Sequence, residues 1–218
     1  LLSGDLMSDA SARVEAEIGA PALFVNGAVG DVSPRPRGWA GVRSAGEALS
    51  RGALRAWNEA RREPPRLDVT QSVIALPSAT VAIRNCLGGW APAWMTLGVA
   101  EAFPSSAEVM AFEVGRTAWV AIPGELETRL GLDIKESGRA RFSHVFVAGV
   151  SNDYLGYFLL PRHYRQPGYI SCASLYGERG GEILRDAAIA ALRRLPAAET
   201  ASEPRAVRQA GRAVRRGR

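Results

Sequence analysis

The sequence predicts an α/β (α+β) protein, a mixed β-sheet layered with helices. Apolar runs with strand-like spacing at 67–76, 107–114, 117–122 and 144–150 alternate with helix-periodic stretches at 40–62, 125–137 and 179–195. Gly, Pro, Ser and Asn punctuate the connections, and 47% of the 218 residues are hydrophobic, enough for one sizeable core.

In chain order, residues 9–18 form a short helix behind Ser8 as N-cap, and 22–26 reads as a buried strand. Residues 40–62 put Val42, Ala45, Leu49, Ala53 and Ala56 on one face and Arg43, Glu47, Arg51 and Arg55 elsewhere. That is an amphipathic helix, stopped by Pro64 and Pro65. The stretches 67–76, 80–85, 107–114 and 117–122 are β-like, whereas 88–104, with two tryptophans among Gly and Pro, reads as a loop or irregular helix. Helix 125–137 precedes a strong strand at 144–150, and a polar, aromatic loop fills 151–177. The last helix, 179–195, turns Ile183, Leu184, Ala187, Ala188, Ala191 and Leu192 towards the core. No internal repeat is present.

Charge distribution argues against a nucleic-acid partner. Residues 205–218 carry six arginines and no acid, so the preceding 204 residues sum to −1 against the whole chain's +5. The body is nearly neutral, and residues 201–218 are expected to be a basic, disordered, solvated tail. Lys135 is the sole lysine, so the arginine excess reads as a compositional bias more than a phosphate-binding adaptation. Cys86 and Cys172 are too few and too far apart for a metal knuckle or a CxxC site. They read as buried free thiols, with a single disulfide as the other option. No apolar stretch reaches the length of a membrane span, and a start at Leu1 leads us to expect a fragment or a processed product.

Three clusters are placed to carry chemistry. In LFVNGAVGDVSPR (23–35), an apolar run meets glycines at 27 and 30, which bring main-chain N–H groups to the surface. Pro34 then holds Ser33 extended and presents it beside Asp31. A plain structural turn explains these residues as well, and GxSxG, GxGxxG and GK[ST] are all absent. In IPGELE (122–127), Pro123 and Gly124 turn the chain at Glu125, which either caps the following helix or projects into a cleft as a metal ligand or base. Residues 149–177 hold all five tyrosines, 154, 157, 164, 169 and 176, suiting a pocket wall that faces an amphipathic ligand. His144 and His163 have no histidine partner at ligand spacing.

Taken together and in this order, the clusters resemble the neutral/alkaline (non-lysosomal) ceramidase family, zinc-dependent amidases that cleave N-acyl sphingoid lipids. GDVSP at 30–34 is similar to the family's NxGDVSPN signature, and PGE at 123–125 to its PGEFTT element. Asn152, Tyr154, Tyr157, Tyr164, Tyr169 and Leu175-Tyr176-Gly177 follow the spacing of its NxYxxYxTTxEEYxxQxYEGxSTLYG segment. LLSGDLMSDA at the start is similar to its ISADFPG segment. The resemblance implies that residues 1–200 are the C-terminal portion of a catalytic domain, with Ser33 as nucleophile and Asp31 anchoring its turn. It further implies that Glu125 and Tyr157 ligate zinc, with Tyr169, Tyr154 and Asn152 around the substrate. The family's two further zinc histidines lie upstream of anything matching Leu1. The chain departs from the pattern at 159–163 (LLPRH for TTxEE), at Ile170 and at Arg35.

The implied activity is zinc-dependent hydrolysis of a ceramide-like amide, weak or absent in this polypeptide by itself. The implied partner is an amphipathic N-acyl lipid, with peripheral membrane contact and a secreted or periplasmic setting; the residues themselves leave the compartment open. Two rival readings are a lipid- or partner-binding module without catalysis, and a serine hydrolase pairing Ser33 with His144 or His163.

Overall fold

The computed structural model describes residues 2–196 apart from 36, 63 and 65, so the basic tail expected at 201–218 lies outside the described residues. The elements in order are α1 (Asp5–Ile18), α2 (Gly38–Glu59), β1 (Leu67–Ala75), β2 (Thr80–Ala82), α3 (Ile83–Leu87), β3 (Thr96–Gly98), β4 (Ser106–Val114) and β5 (Thr117–Ala121). Then follow β6 (Glu125–Leu126), α4 (Thr128–Gly138), β7 (His144–Ala148), β8 (Tyr157–Phe158), α5 (Pro161–Tyr164), α6 (Tyr169–Cys172) and α7 (Gly180–Arg194).

The main sheet has the order β1-β4-β5-β7. β4 runs antiparallel to both β1 and β5, while β5 and β7 are parallel, joined through α4. The sheet is therefore mixed, as the sequence predicts. β4 alternates strictly between covered and open residues. Its inward side chains Val109 and Ala111 join Ala118, Val120 and Val147 beneath α4 (Leu130, Ile134) and α7 (Leu184, Ala188, Leu192) to make the core.

Several local expectations need correction. The first helix begins at Asp5, not behind Ser8, whose N–H already bonds Gly4 O at 3.1 Å within the first turn. Residues 22–26 form no strand: Leu23 is 92% exposed, and the segment's contact with the β7 side is a bond from Gly149 N–H to Asn26 O (2.9 Å). An apolar run becomes a strand only beside a partner ladder. In α2 the buried positions are Gly41, Gly46 and Ser50 rather than the apolar face. They are small because α1 crosses there; a Cβ on Gly46 would meet Asp9 Oδ2 at 2.2 Å. Leu49, Ala53 and Ala56 open instead onto a cleft of about 750 Å³, faced by Trp119 and Phe146 of the outer sheet surface. The strand expected over 80–85 stops at Ala82, its last three residues opening α3, and the loop expected at 151–177 contains β8, α5 and α6. Cys86 and Cys172, expected as free thiols, form a disulfide with Cα atoms 4.6 Å apart, bolting α3 to α6.

Candidate active site

The carboxyl ends of the parallel pair β5 and β7 gather the three clusters, the place where open α/β sheets offer a crevice. Beyond β5, Ile122 N–H bonds Ala148 O at 2.9 Å, and Pro123-Gly124 turns the chain into β6. Beyond β7, residues 150–155 wrap the same turn, with Val150 N–H on Gly124 O, Ser151 N–H on Ile122 O and Leu155 N–H on Pro123 O (3.1, 3.0 and 2.9 Å). The wrap forces Val150 (φ 55°) and Asn152 (φ 70°) into the left-handed region, a strained conformation for a β-branched valine.

After the wrap the chain enters β8, which lies parallel to β6 in a two-residue ladder with Glu125 opposite Tyr157 and Leu126 opposite Phe158. The two residues expected to ligate a metal are thus register partners. Glu125 is not a helix cap: it lies in a strand, three residues before α4 begins. Its carboxylate accepts the Tyr154 hydroxyl at 2.9 Å, with Tyr157 opposite it in the ladder. Desolvation first, then this carboxylate, pushes the Tyr154 phenol up to about 12, and the same causes in the same order raise Tyr157. The Tyr154 phenol is therefore held as a donor. Tyr169 packs edge-on against Tyr157, ring centroids 5.8 Å apart, with its own ring 77% exposed.

The glycine-rich turn docks on the same ladder. Gly30 N–H bonds Leu126 O at 2.9 Å, and a Cβ at Gly30 would stand 2.6 Å from Glu125 O, so a side chain is excluded there. Asp31 anchors the turn: its Oδ1 accepts the Thr128 N–H at 2.8 Å and the Thr128 hydroxyl at 2.5 Å. Thr128 opens α4, whose own N-cap Glu127 makes no side-chain capping bond, so Asp31 caps that helix from a distant part of the chain. Ser33 is exposed, with no hydrogen-bond partner among the described residues. Its neighbours Val32 and Pro34 line a hollow of about 470 Å³, together with Val29, Val150, Glu125 and Tyr154. Asn152 is turned elsewhere, its amide donating to Glu108 Oε1 on β4 at 2.8 Å.

Sequence reasoning missed Glu127. It is 1% exposed, accepts the Leu160 N–H through Oε2 at 2.7 Å, and has His163 Nδ1 2.9 Å from Oε1 in a contact not aligned as a hydrogen bond. This carboxylate clamps the segment after β8 to the start of α4. The signal was the Glu-x-Glu spacing of ELE, which sends both carboxylates to one side of an extended segment. His144 begins β7, at the end of the strand opposite the site. Among the described residues no group of three or more His, Cys, Asp or Glu side chains is placed to hold a metal ion. Glu125 and the Tyr157 phenol offer two oxygen donors side by side, fewer than the four of a tetrahedral zinc site.

The mixed sheet and the crevice at the carboxyl ends of β5 and β7 define an α/β fold, and the solved structures narrow this. No family model and no curated protein sequence matches the chain. Among solved structures it is similar to neutral ceramidase from Pseudomonas aeruginosa, with TM-score 0.69 and 18% identity over 94% of this chain and 43% of that one. A ceramidase complexed with C2 matches with TM-score 0.70 and 18% identity, over 94% of this chain and 44% of that one. The chain thus has the fold of part of a neutral ceramidase and spans less than half the length of those chains.

Proposed function

We propose that this chain carries the nucleophile turn and half of the zinc site of a ceramidase-like amidohydrolase acting on the N-acyl bond of a ceramide-like lipid. The observation that supports the reading is the pairing of Glu125 with Tyr157 across one ladder, with the Gly30–Pro34 turn docked on its far side. Cleavage of an amide requires an oxygen nucleophile at the carbonyl carbon, donors to the oxygen as it gains charge, and a proton for the departing amine. Ser33 either attacks, its proton passing to the departing nitrogen as the C–N bond breaks and a water then releasing the acyl group from the serine, or orients a water that adds to the carbonyl and gives its proton to that nitrogen. Tyr169 donates to the charged oxygen or to the polar head of the lipid. Glu125 and Tyr157 would hold zinc, with two histidines supplied from outside these residues, and the ion would polarise the carbonyl. The Cys86–Cys172 disulfide supports a secreted or periplasmic setting. No described helix is long and apolar enough to cross a membrane.

Zinc titration followed by calorimetry, with hydrolysis of a fluorogenic N-acyl sphingosine, tests the proposal. A form extended upstream to restore two histidines is expected to bind zinc tightly and hydrolyse the substrate, and the present chain to do both weakly. Glu125→Gln or Tyr157→Phe should weaken uptake by about tenfold or more, and Ser33→Ala should abolish turnover while leaving uptake intact. Equal zinc-dependent turnover in the long and short forms overturns the reading. The incomplete donor set favours a second reading, a lipid-binding module without catalysis. That reading expects N-acyl lipid in the apolar hollow beside Glu125, with no zinc uptake and no turnover in either form.

A further inference from the structure

β1 is an outer strand of the main sheet, paired on one side with β4 and on the other with no described segment. The register fixes which of its backbone groups are left over. Gly115 N–H bonds Arg66 O and Leu76 N–H bonds Ser105 O (2.9 and 2.8 Å), so the even-numbered residues between them turn their N–H and C=O towards β4. Leu67, Val69, Gln71, Val73 and Ala75 therefore aim theirs out of the sheet. The side chains of the same residues are exposed, with Leu67, Val69 and Val73 open to 70, 54 and 70%.

Natural sheet edges are guarded by a proline, a lysine, a bulge or an unpaired charge. β1 pairs with β4 without a bulge, holds no Pro, Lys or Arg, and has its one charge, Asp68, neutralised by Arg66 at 2.6 Å. Its centre, Val69-Thr70-Gln71-Ser72-Val73, is also close to a palindrome. Set antiparallel to a second copy with Gln71 opposite Gln71, every position meets a compatible one. On the open face Val69 meets Val73 and Leu67 meets Ala75. On the other face Asp68 meets Ile74, so no two acids oppose each other, and Thr70 meets Ser72. Those two hydroxyls are complementary as they stand: Thr70 Oγ1 donates to Ala191 O at 3.1 Å and can still accept, whereas Ser72 Oγ accepts from Arg194 and can still donate. Arg194, held at Ser72, comes diagonally across from Asp68 of the second copy.

We infer that the chain pairs with a second copy of itself through β1, joining the two main sheets into one continuous sheet about a two-fold axis at Gln71. Each outward-aimed residue then enters a pair that exchanges two main-chain hydrogen bonds. The contact is isologous, so it closes at two copies instead of growing into a fibre. An unrelated strand could cover the amides; a second copy in this register also covers the valines with valines and matches hydroxyl donor to hydroxyl acceptor. The pairing reaches the candidate site. Gln71 donates to Glu108 Oε2 at 2.6 Å, and Glu108 Oε1 accepts the amide of Asn152 in the wrap that carries Tyr154, so the axis steadies that wrap. The inference draws on no step of the amidase reading, and its test involves no turnover, so either can fail without the other.

The test is analytical ultracentrifugation of the full chain, which is expected to show a monomer–dimer equilibrium with the dimer predominant at about 100 μM. Val69→Lys, a guard of the kind natural edges carry, should raise the dissociation constant at least about tenfold. Gln71→Pro removes an N–H that β4 does not use and should abolish pairing. Where circular dichroism shows that the proline variant does not fold, Val69→Lys carries the test alone. Hydrogen exchange reads the register: the Val69, Gln71 and Val73 amides should be slow in the dimer and fast in Val69→Lys, with the Thr70 and Ser72 amides slow in both. Wild-type chain that stays monomeric at that concentration overturns the inference. So does a dimer that Val69→Lys leaves intact or whose odd-numbered amides stay fast, which would place the contact on another surface. A monomer in which those amides are already slow would assign the edge to another part of the same chain and overturn it equally.

Discussion

Asp31 joins the glycine-rich turn to the start of α4, and its removal has a calculable cost. Asp31→Ala deletes the acceptor of two bonds from Thr128, the amide at 2.8 Å and the hydroxyl at 2.5 Å. Loss of an N-cap side chain costs about 1 kcal/mol, and loss of a negative charge beside an exposed helix N-terminus costs about 0.3–1 kcal/mol more. The sum is about 1.3–2 kcal/mol, or about 3–8 °C in Tm for a domain of this size. Asp31→Asn keeps an acceptor and loses the charge, so it should recover at least half of that. Thermal and urea denaturation followed by circular dichroism supply the comparison, and hydrogen exchange at the Thr128 amide localises it. A loss below about 0.5 kcal/mol for Asp31→Ala, or an asparagine variant as damaged as the alanine one, refutes long-range capping of α4. In an upstream-extended, active form, Asp31→Ala should lower turnover more than it lowers zinc uptake, because it frees the turn and leaves Glu125 and Tyr157 in register.

Gly30→Ala drives a methyl to 2.6 Å from Glu125 O and 2.9 Å from Leu126 C, both backbone, so it should destabilise by about 1–3 kcal/mol in urea melts and depress any activity with it. Removing the disulfide by paired Cys86→Ser and Cys172→Ser opens a loop of 86 residues and should cost about 3–5 kcal/mol, read as a drop in the urea midpoint and as early proteolysis between α3 and β3. Tyr176 is 1% exposed, stacks on Phe158 and donates its hydroxyl to Pro104 O at 3.0 Å. Burial, then Asp153, raises its phenol above the ordinary value. The neutral form is the one the fold favours, so its stabilisation is full below about pH 10 and fades as pH climbs through the raised value. Denaturation midpoints across about pH 9–11 should therefore fall less steeply in Tyr176→Phe than in the wild type, the phenylalanine variant starting about 1 kcal/mol lower from the lost hydrogen bond.

The strands of the main sheet were legible because each carries its own evidence: β4 alternates along its length, and β5 and β7 are continuous apolar runs between polar breaks. Residues 22–26 carried the same local signal and made no strand, because a ladder needs a neighbour that sequence does not name. α2 misled for a related reason: its apolar side was plain, but the line that packs against α1 is drawn by Gly41, Gly46 and Ser50, which register as nothing on a hydrophobicity scale. At the site, Glu125, Tyr157 and Tyr154 were readable by motif and do converge. The tyrosine density had two origins that spacing could not separate, since Tyr176 serves the core while Tyr154, Tyr157 and Tyr169 face the crevice. Which carboxylate of ELE would face the phenols and which would be buried against His163 depended on where α4 begins. That start is fixed by Asp31, almost a hundred residues away.

The chemistry proposed for this chain rests on a ladder only two residues long. Because side chains alternate along a strand, a slip of one residue between β6 and β8 would replace Glu125 by Leu126 opposite Tyr157 and dissolve the donor pair. So short a ladder has little pairing energy to resist that. The resistance comes from its flanks. Glu125 N–H and Glu127 N–H take Gly156 O and Phe158 O at 2.9 Å each, and a Cβ at Gly124 would collide with Gly156 O at 2.6 Å. The wrap of 150–155 around 122–124 supplies further backbone bonds, and the left-handed Val150 and Asn152 pass at a cost of about 1–3 kcal/mol each because those bonds over-determine the path. Strain at Val150 is therefore the counterpart of precision at Tyr154 and Tyr157. The same few turns that hold the Tyr154 phenol on Glu125 leave neither partner of the ladder free to move without the other.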